Sequence, residues 1–460
     1  MTAAPSYSEI AGEWYAGLRY EHLPAEVLRS TKQLLLNSLA IAIAASKTED
    51  YGDIAARSCS GQQGLCQVLG TSVRASATAA AVANGMLFSC LGFDDSLPET
   101  LIHVSAASVS CALALSQGRP TTGKEFLTAV AGGNELICRI GLVAPLQFHK
   151  HGLHPSGIIG AMGTAFVAAR LAGLSGKKMR DAVGIAGNMA SGINQSWVDG
   201  SHAQFIDSGW ASAAAITAAQ LASAGLDGPA EVLEGRFGLF RSHLQDAGVR
   251  LDFDRMVAGL GQQWHCLDIE MKRYPTGHVN LPFVEAMLQL YEQDGVRADH
   301  VRKVTASVAA WMRPVVCDPA EEKRRPVSDL HAKVSLPYTL AETLVHGRLG
   351  AGSYSREDLR DPRILDVVDR TECIDDPEAP TSDVYKGTVR VELNDGGCFE
   401  RVVLHGKGLG FPHHQFKSKF DDCMRFAGHS ALAPQLWDRV QGLDDAGSLD
   451  ELSALLAKIH

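Results

Sequence analysis

Apolar residues from Pro24 to about Gly261 recur at helical spacing or cover nearly all faces of a segment, and Ala, Gly and Ser are abundant. A helix that is apolar on all sides must be buried by other helices, so this pattern predicts a large helical bundle. The predicted helices span residues 27–46, 75–90, 106–116, 123–143, 158–172, 179–192 and 209–224.

The pattern changes between about Trp264 and Lys407. Strands are predicted over 301–309, 388–393 and 399–404, and the last two are joined by Asn-Asp-Gly-Gly, a typical hairpin turn. Helices are predicted in this region at 281–293, 335–346 and 356–368, and in the last fifty residues at 416–426 and 449–459. We therefore expect a mainly α protein with two domains. These are a large all-helical domain over 1–262, to which 408–460 returns, and a smaller α+β lid domain over 263–407.

Composition excludes several classes of protein. With 460 residues and 46% hydrophobic residues, the chain is long and apolar enough for two or three folded domains and is not disordered. Lys and Arg total 42 against 52 Asp and Glu, with no long basic block, so no nucleic-acid partner is expected. The first residues lack the pattern of a secretory signal, and the longest apolar stretch, 158–173, is too short to cross a membrane. The sequence predicts a cytoplasmic protein that does not bind membranes.

Cofactor motifs are missing from the sequence. The ten cysteines form no Cys-x-x-Cys pair, which argues against structural zinc and iron–sulfur clusters and favours reduced thiols. Neither a dinucleotide-binding Gly-x-Gly-x-x-Gly nor a phosphate-binding loop is present. His149, His151 and His154 are spaced like metal ligands, but no nearby carboxylate or cysteine completes the set. We expect no metal and no cofactor.

Four motifs occur in a fixed order along the chain. They are Phe93-Asp94-Asp95-Ser96 with His103, Gly-Leu-His-Pro-Ser-Gly at 152–157, the segment 200–211, and Lys272-Arg273-Tyr274-Pro275 together with 332–338. With Gly406-Lys407-Gly408 and Lys419-Phe420, they make the chain resemble the 2-methylcitrate dehydratase, or MmgE/PrpD, family over nearly its whole length.

The resemblance implies a helical domain built from both chain ends, an α+β lid, an active site in the cleft between them, and a homodimer. It also implies metal-free and cofactor-free chemistry on small carboxylates. In that chemistry a base removes a proton next to a carboxylate, and cationic groups hold the developing enolate.

Several residues depart from the family pattern. Gly92 stands where the family has an acidic residue, Gln204 where it has a lysine, and Asp207 where it has a histidine. After the Tyr-Pro motif only His278 remains of two family histidines. Loss of the lysine would cost a substrate carboxylate roughly 1–3 kcal/mol of charge-assisted hydrogen bonding. These changes either retune the family's chemistry or abolish it.

Candidate roles follow from the resemblance and the residue types. His103 and His154 are expected to exchange protons, because the unperturbed pKa of imidazole lies near 6.5. The candidates for holding the developing anion are Lys272, His278 and Tyr338. The candidates for binding substrate are Asp94, Asp95, Ser96, Gln204 and Asp207.

The leading hypothesis is a cofactor-independent carbon–oxygen lyase, similar to a dehydratase, that acts on a small hydroxy or carboxylated substrate. An isomerase, an epimerase or a decarboxylase would use the same carbanion and stays an alternative. A catalytically inactive homologue that serves as a binding subunit is an alternative of another class.

Overall fold

The computed structural model describes residues 4–48, 50–380, 384–406 and 413–460. The chain is 56% helical and 10% strand, which confirms the mainly α fold with a smaller α+β region toward the C-terminus. Lys407 and Gly408 of the Gly-Lys-Gly motif, and the first residues of the predicted C-terminal return, lie outside the described residues.

The N-terminal part of the described chain is built from thirteen α-helices, of which the apolar pattern predicts seven and misses six, four of them no longer than six residues. Their bounds are α1 Tyr7–Gly17, α2 Ala25–Ala45, α3 Tyr51–Ser58, α4 Ala77–Cys90, α5 Ser105–Ser116, α6 Gly123–Gly141, α7 Gln147–Lys150, α8 Pro155–Leu171, α9 Gly176–Ala186, α10 Ser196–Asp199, α11 Asp207–Ala224, α12 Leu239–Leu244 and α13 Asp254–Val257. Two short antiparallel pairs accompany them, β1 Cys66–Gln67 with β2 Arg74–Ala75, and β3 Asp95–Ser96 with β4 Glu270–Met271.

The C-terminal part contains a four-stranded sheet in the order β6-β5-β7-β8. Its strands are β5 Val301–Val308, β6 Thr371–Asp375, β7 Val384–Leu393 and β8 Cys398–Gly406. The predicted hairpin is β7 and β8, whereas β6, which runs parallel to β5, was not predicted. The accompanying helices are α14 Leu281–Gln293, α15 Arg313–Val316, α16 Ala320–Arg324, α17 Asp329–Lys333, α18 Leu336–His346, α19 Pro362–Asp369, α20 His413–Phe426, α21 Ala433–Gln441 and α22 Asp450–Leu456.

Two predicted helix boundaries were wrong. The helix predicted over 179–192 ends at Ala186, and residues beyond it form turns. The helix predicted from Arg356 begins only at Pro362, because the Asp361 side chain accepts a hydrogen bond from the Arg363 amide and caps the new start. Proline at the first helical position fixes that start, since its missing N–H is not needed there.

The buried apolar side chains form two large cores. The helical core joins α1–α13 to the C-terminal helices, so that Phe416 and Ile459 share a cluster with Leu35. The lid core, with members between Val279 and Val391, lies among the sheet, α14 and α18. We propose that these two cores correspond to the two domains predicted from the sequence.

A fully buried arginine fixes the chain where it passes from one core to the other. Arg139 on α6 pairs with Glu135 at 2.6 Å and donates to the backbone carbonyls of Arg255, Ala258, Gly259 and Gln263. Glu135 in turn accepts a hydrogen bond from the amide of Cys266. The loop from 255 to 266 is therefore held by one side-chain pair.

Helices α4 and α11 cross at a pair of glycines. A Cβ atom on Gly85 would lie 2.3 Å from the Cα of Gly209, closer than real Cβ atoms approach a backbone. The two helices can touch only because both positions lack a side chain. In the part of the chain that the structure describes, no helix is long and apolar enough to cross a membrane.

Candidate active site

A cavity of about 120 Å³ lies between the helical core and the lid core. Seven of the ten sequence candidates line it, namely Asp94, Ser96, His103, His154, Gln204, Lys272 and His278. The loop after α4, the start of α8 and the segment that follows β4 bring these residues together.

The two candidate acid–base histidines face the same space, with ring centroids 5.8 Å apart. Nδ1 of His103 lies 3.0 Å from the backbone oxygen of Asp95. A carbonyl oxygen only accepts, so Nδ1 donates and Nε2 carries the lone pair of the neutral ring. The His103 amide donates to Ser156 Oγ on α8, which ties its loop to the helix that His154 precedes.

His154 is oriented by Asp207. Its Nδ1 lies 2.7 Å from Oδ2 of Asp207, the first residue of α11. Nε2 of His154 is buried and has no hydrogen-bond partner among the residues described. A carboxylate that holds one imidazole nitrogen leaves the other as a base, as in hydrolase triads. Asp207 therefore positions a candidate base from behind the cavity wall, although the sequence placed it among the groups that bind substrate.

Asp94 links the second histidine to a lysine. Its carboxylate lies 3.2 Å from Nζ of Lys272 and 3.1 Å from Nδ1 of His103. Burial acts to raise the pKa of Asp94, but the charges of His103 and Lys272 outweigh burial and hold this pKa well below its usual range. Lys272 also donates to the backbone oxygen of Gly92, so one of its three N–H donors is left for a ligand.

A second lysine at the cavity, Lys333, was not among the sequence candidates. Its ammonium donates to the Cys90 carbonyl at 2.8 Å and to Asp329 Oδ2 at 2.6 Å, which again leaves one donor. Asp329 also accepts a hydrogen bond from the Tyr51 hydroxyl. Lys333 belongs to the motif at 332–338, so the sequence contained a signal for it.

Two other candidates lie away from the cavity surface. Tyr338, five residues after Lys333, packs beside Tyr354 inside the lid core with ring centroids 6.2 Å apart, and burial raises its pKa. This placement does not bring its hydroxyl to a substrate in the cavity. Asp95 is buried as well and caps the start of α5 by accepting hydrogen bonds from the amides of Val104 and Ser105.

Gln204 is held by an aromatic neighbour that sequence reasoning missed. The Trp197 indole N–H donates to Oε1 of Gln204 at 2.7 Å, and the ring of His149 stacks on Trp197 at 5.6 Å. Burial lowers the pKa of His149 to about 3, so this histidine is neutral at physiological pH. The side of the cavity where the family has a lysine is therefore uncharged and aromatic.

His278 is buried in the wall on the lid side. Its Nδ1 lies 2.8 Å from Ser96 Oγ. Burial lowers its pKa well below the ordinary value, so the ring is neutral and can donate or accept hydrogen bonds but supplies no positive charge. Among the lysines and arginines of the described chain, Lys272 and Lys333 are the two that line the cavity.

The C-terminal helix α20 reaches this site through Lys419. Its buried ammonium group donates to the backbone oxygens of Phe93 at 2.7 Å and Lys272 at 2.9 Å. Burial lowers the pKa of Lys419 to about 7. The bonds fix the acidic loop against the segment that carries Lys272.

A cavity between two cores that combines two imidazoles with two lysines is typical of an enzyme that moves protons on a small anion. The chain belongs to the MmgE/PrpD family, whose N-terminal domain matches residues 9–252 and whose C-terminal domain matches residues 274–432. The family that the motifs indicated is thereby confirmed.

The curated relatives are enzymes with two named reactions. The chain is 26% identical to cis-aconitate decarboxylase from Aspergillus terreus, over 98% of this chain and 95% of that protein. It is 24% identical to human cis-aconitate decarboxylase, with 83% of this chain and 80% of the relative covered. It is 26% identical to 2-methylcitrate dehydratase from Escherichia coli K12, over 63% of this chain and 60% of that protein. These relatives support a lyase-type enzyme of the dehydratase and decarboxylase kind.

Proposed function

We propose that this protein is a carbon–oxygen lyase that dehydrates a small hydroxy-carboxylic acid. The observation that carries the proposal is the pair of imidazoles at one cavity, each with Nδ1 held by an oxygen acceptor. Elimination of water needs a base for the carbon-bound proton and an acid for the leaving hydroxyl, and two histidines supply both.

In the proposed reaction His154 Nε2 removes a proton from the carbon next to a carboxylate. The C–H electron pair forms the new double bond, the C–O bond breaks, and protonated His103 gives its proton to the departing hydroxyl, so that an alkene and water result. Asp207 and Asp94 offset the positive charge on the two rings. The remaining N–H donors of Lys272 and Lys333 hold the substrate carboxylate while negative charge develops.

Decarboxylation is the second candidate, because cis-aconitate decarboxylases match a larger share of this chain than the dehydratase does. In that reaction the C–CO₂ bond breaks, its electron pair stays on carbon, and an imidazolium protonates that carbon. Epimerisation would use the same two imidazoles to remove and return one proton. Only the products separate the three reactions.

The test is to incubate the purified full chain with 2-methylcitrate, citrate, cis-aconitate and related hydroxy-acids in deuterated water, and to follow products by NMR and mass spectrometry. Dehydration gives an alkene by loss of water, and decarboxylation releases carbon dioxide. Epimerisation loses no group and changes the compound only by the exchange of a carbon-bound proton for deuterium. We expect alkene formation that His103→Ala and His154→Ala each abolish. His300→Ala, at an exposed histidine, is the matched control.

Release of carbon dioxide would show that the reaction is decarboxylation. Deuterium exchange with neither carbon dioxide release nor loss of water would show that it is epimerisation. Activity that survives both histidine changes would refute the assigned acid and base. No turnover of any compound, with ligands still bound, would favour the inactive binding subunit.

We also propose a homodimer, as the resemblance implied. Support comes from large apolar side chains that are exposed near the cavity, among them Ile193 at 62%, Val198 at 51% and Val327 at 72%. Light scattering coupled to gel filtration measures the mass directly, and a monomer at micromolar concentration would refute the proposal.

A further inference from the structure

Three potential metal ligands converge on the lid side of the cavity. Glu270 lies on β4, His278 begins a short 3₁₀ helix, and His405 is near the end of β8. Glu270 Oε2 lies 3.6 Å from Nδ1 of His405 and 4.0 Å from Nε2 of His278. One ligand atom from each residue lies within 4.8 Å of the other two.

All three of these atoms are buried, and none has a hydrogen-bond partner within the described residues. The side chains of Glu270, His278 and His405 are only 10%, 4% and 15% exposed. Buried polar atoms are nearly always bonded, because an unsatisfied one costs roughly 1–3 kcal/mol. Three such atoms that face one point indicate an occupant that bonds to all of them.

We propose that Glu270, His278 and His405 bind a divalent transition-metal ion, with Zn²⁺ the best match to this ligand set. Two imidazoles and one carboxylate form a known zinc set, with bonds of about 2.0–2.2 Å. Tetrahedral bonds of that length place neighbouring ligand atoms roughly 3.3–3.6 Å apart. The two separations that involve Glu270, 3.6 and 4.0 Å, therefore need to shrink by a few tenths of an ångström. The two imidazole nitrogens lie within 4.8 Å of each other and have to approach by up to about 1.5 Å.

An outer contact orients one ligand of this site. Ser96 Oγ lies 2.8 Å from Nδ1 of His278, which directs Nε2 toward Glu270. Such contacts are a regular part of metal sites, because they fix the ring and its tautomer. Ser96 also stands directly opposite Glu270 in the β3–β4 ladder, so backbone pairing fixes the spacing of the serine and the carboxylate.

The electrostatics around the three ligands also suit a cation. The Glu270 side chain is only 10% exposed, so its carboxylate needs a cationic or hydrogen-bonding partner in this buried setting. A cation would stabilise the Glu270 carboxylate, which burial alone disfavours. The nearby Arg273 guanidinium lies 3.5 Å from the carboxylate of Glu285, which limits its repulsion of the ion.

A second group of possible ligands, Glu342, His346 and Asp358, is less suited to an ion. Asp358 already accepts from His346 at 3.0 Å and from the Ser355 hydroxyl at 2.8 Å. Glu342 accepts from the Tyr354 amide. Because protein donors already occupy both oxygens of Asp358 and one of the two oxygens of Glu342, this group serves as a comparison for the proposed site.

The ion would connect β4, at the crossing between the cores, to β8 of the lid sheet, and its ligand His278 lines the cavity. The inference goes beyond the proposed lyase reaction, because the two assigned proton-transfer groups, His103 and His154, are not in this set. No sequence motif indicates this site, because Glu270 and His405 lie far apart along the chain.

The experiment uses the full chain without an affinity tag, stripped with EDTA and dialysed, with no substrate present. Co²⁺ is titrated while the visible spectrum is recorded, because Co²⁺ bound by protein nitrogen and oxygen ligands absorbs there. Zn²⁺ is then added as competitor, and its own affinity is measured by calorimetry. We expect one equivalent of Co²⁺ to bind and Zn²⁺ to displace it.

Variants assign the binding to particular residues. Glu270→Gln and His405→Asn should each weaken Zn²⁺ binding by more than about 100-fold, and Ser96→Ala by roughly 10- to 100-fold, the usual effect of an outer contact. His346→Asn should leave the affinity unchanged. Failure of the wild-type chain to bind, binding unchanged in both ligand variants, or loss only in His346→Asn would each overturn the proposal.

Circular dichroism of each metal-free variant checks that it folds. If a ligand variant does not fold, X-ray absorption of the Co²⁺-loaded wild-type chain decides the matter, since the proposal requires two imidazole nitrogens around the ion. Because these measurements need no turnover, a negative result would leave the proposed lyase reaction standing, and inactivity toward every acid would not affect the metal assignment.

Discussion

Asp207 Oδ2 lies 2.7 Å from Nδ1 of His154, and this contact joins the first residue of α11 to the residue that precedes α8. From the sequence, the carboxylate at position 207 was a candidate for binding substrate. The geometry favours a positioning role, because Asp207 holds the ring nitrogen that points away from the cavity.

We predict that Asp207→Asn lowers kcat by roughly 10²- to 10⁴-fold, the range that general acid–base catalysis contributes. An amide in place of the carboxylate neither enforces the same tautomer nor offsets the charge of a protonated ring. KM should stay nearly unchanged, since Asp207 lies behind the cavity wall. Steady-state kinetics measures both constants.

Asp199→Asn is the control for this change, because Asp199 is exposed and caps the nearby Ser201 amide. It should leave kcat unchanged. Equal kcat values for Asp207→Asn and the wild-type enzyme would show that the Asp207 contact serves folding alone.

Gln204→Lys should restore affinity for more highly charged substrates. A lysine in the family's position would add a charge-assisted contact, and 1.4 kcal/mol from it corresponds to about tenfold tighter binding. We expect the dissociation constant of cis-aconitate, measured by calorimetry, to fall by about that factor. Gln195→Lys adds the same charge at an exposed position nearby, so an equal gain there would mean only a general electrostatic effect.

Arg139→Met should lower the free energy of unfolding by about 3–5 kcal/mol, because it leaves the buried carboxylate of Glu135 unpaired. Guanidinium denaturation measures the loss. The exposed Arg119 offers a matched Arg119→Met control, which should stay within about 0.5 kcal/mol of wild type. The double variant Arg139→Met with Glu135→Leu should lose less free energy of unfolding than Arg139→Met alone. A larger loss in the double variant would contradict this account.

Glu342 should make stability fall as pH rises. Burial raises the pKa of this carboxyl from 4.5 to about 8, so between these values the folded protein keeps a proton that the unfolded chain releases. Unfolding free energy is therefore lost across pH 4.5–8, by up to about 1.4 kcal/mol per pH unit. Glu342→Gln, which mimics the neutral acid, should remove this slope. The free energy of unfolding of the variant, relative to that of wild type, should therefore increase between pH 5 and pH 9.

Denaturation curves at pH 5, 7 and 9 measure this effect. The exposed Glu378→Gln is the control and should follow wild type at each pH. Parallel pH profiles for Glu342→Gln and wild type would mean that Glu342 is ionised in the folded protein.

Helical periodicity predicted the seven helices α2, α4, α5, α6, α8, α9 and α11, because nearly every residue of segments such as α8 is buried. It missed α1, where only four of eleven residues are buried. The five-residue strand β6 escaped prediction because three of its residues, including Glu372, are exposed at the sheet edge and show no apolar alternation. Motif residues account for ten of the 22 residues that line the cavity. Tyr338 belongs to the same motif as Lys333 but does not line the cavity. It lies on α18 and packs against Tyr354, whereas Lys333 lines the cavity.

The contact between Gly85 and Gly209 sets both the approach of two helices and the position of a residue of the proton-transfer site. Gly209 lies two residues after Asp207, so the distance from that carboxylate to His154 depends on α4 and α11 touching without side chains between them. A single methyl group at position 85, remote from any reacting atom, would act as a wedge beneath the proton-transfer pair. The geometry of the proton-transfer pair therefore depends on two positions that carry no side chain.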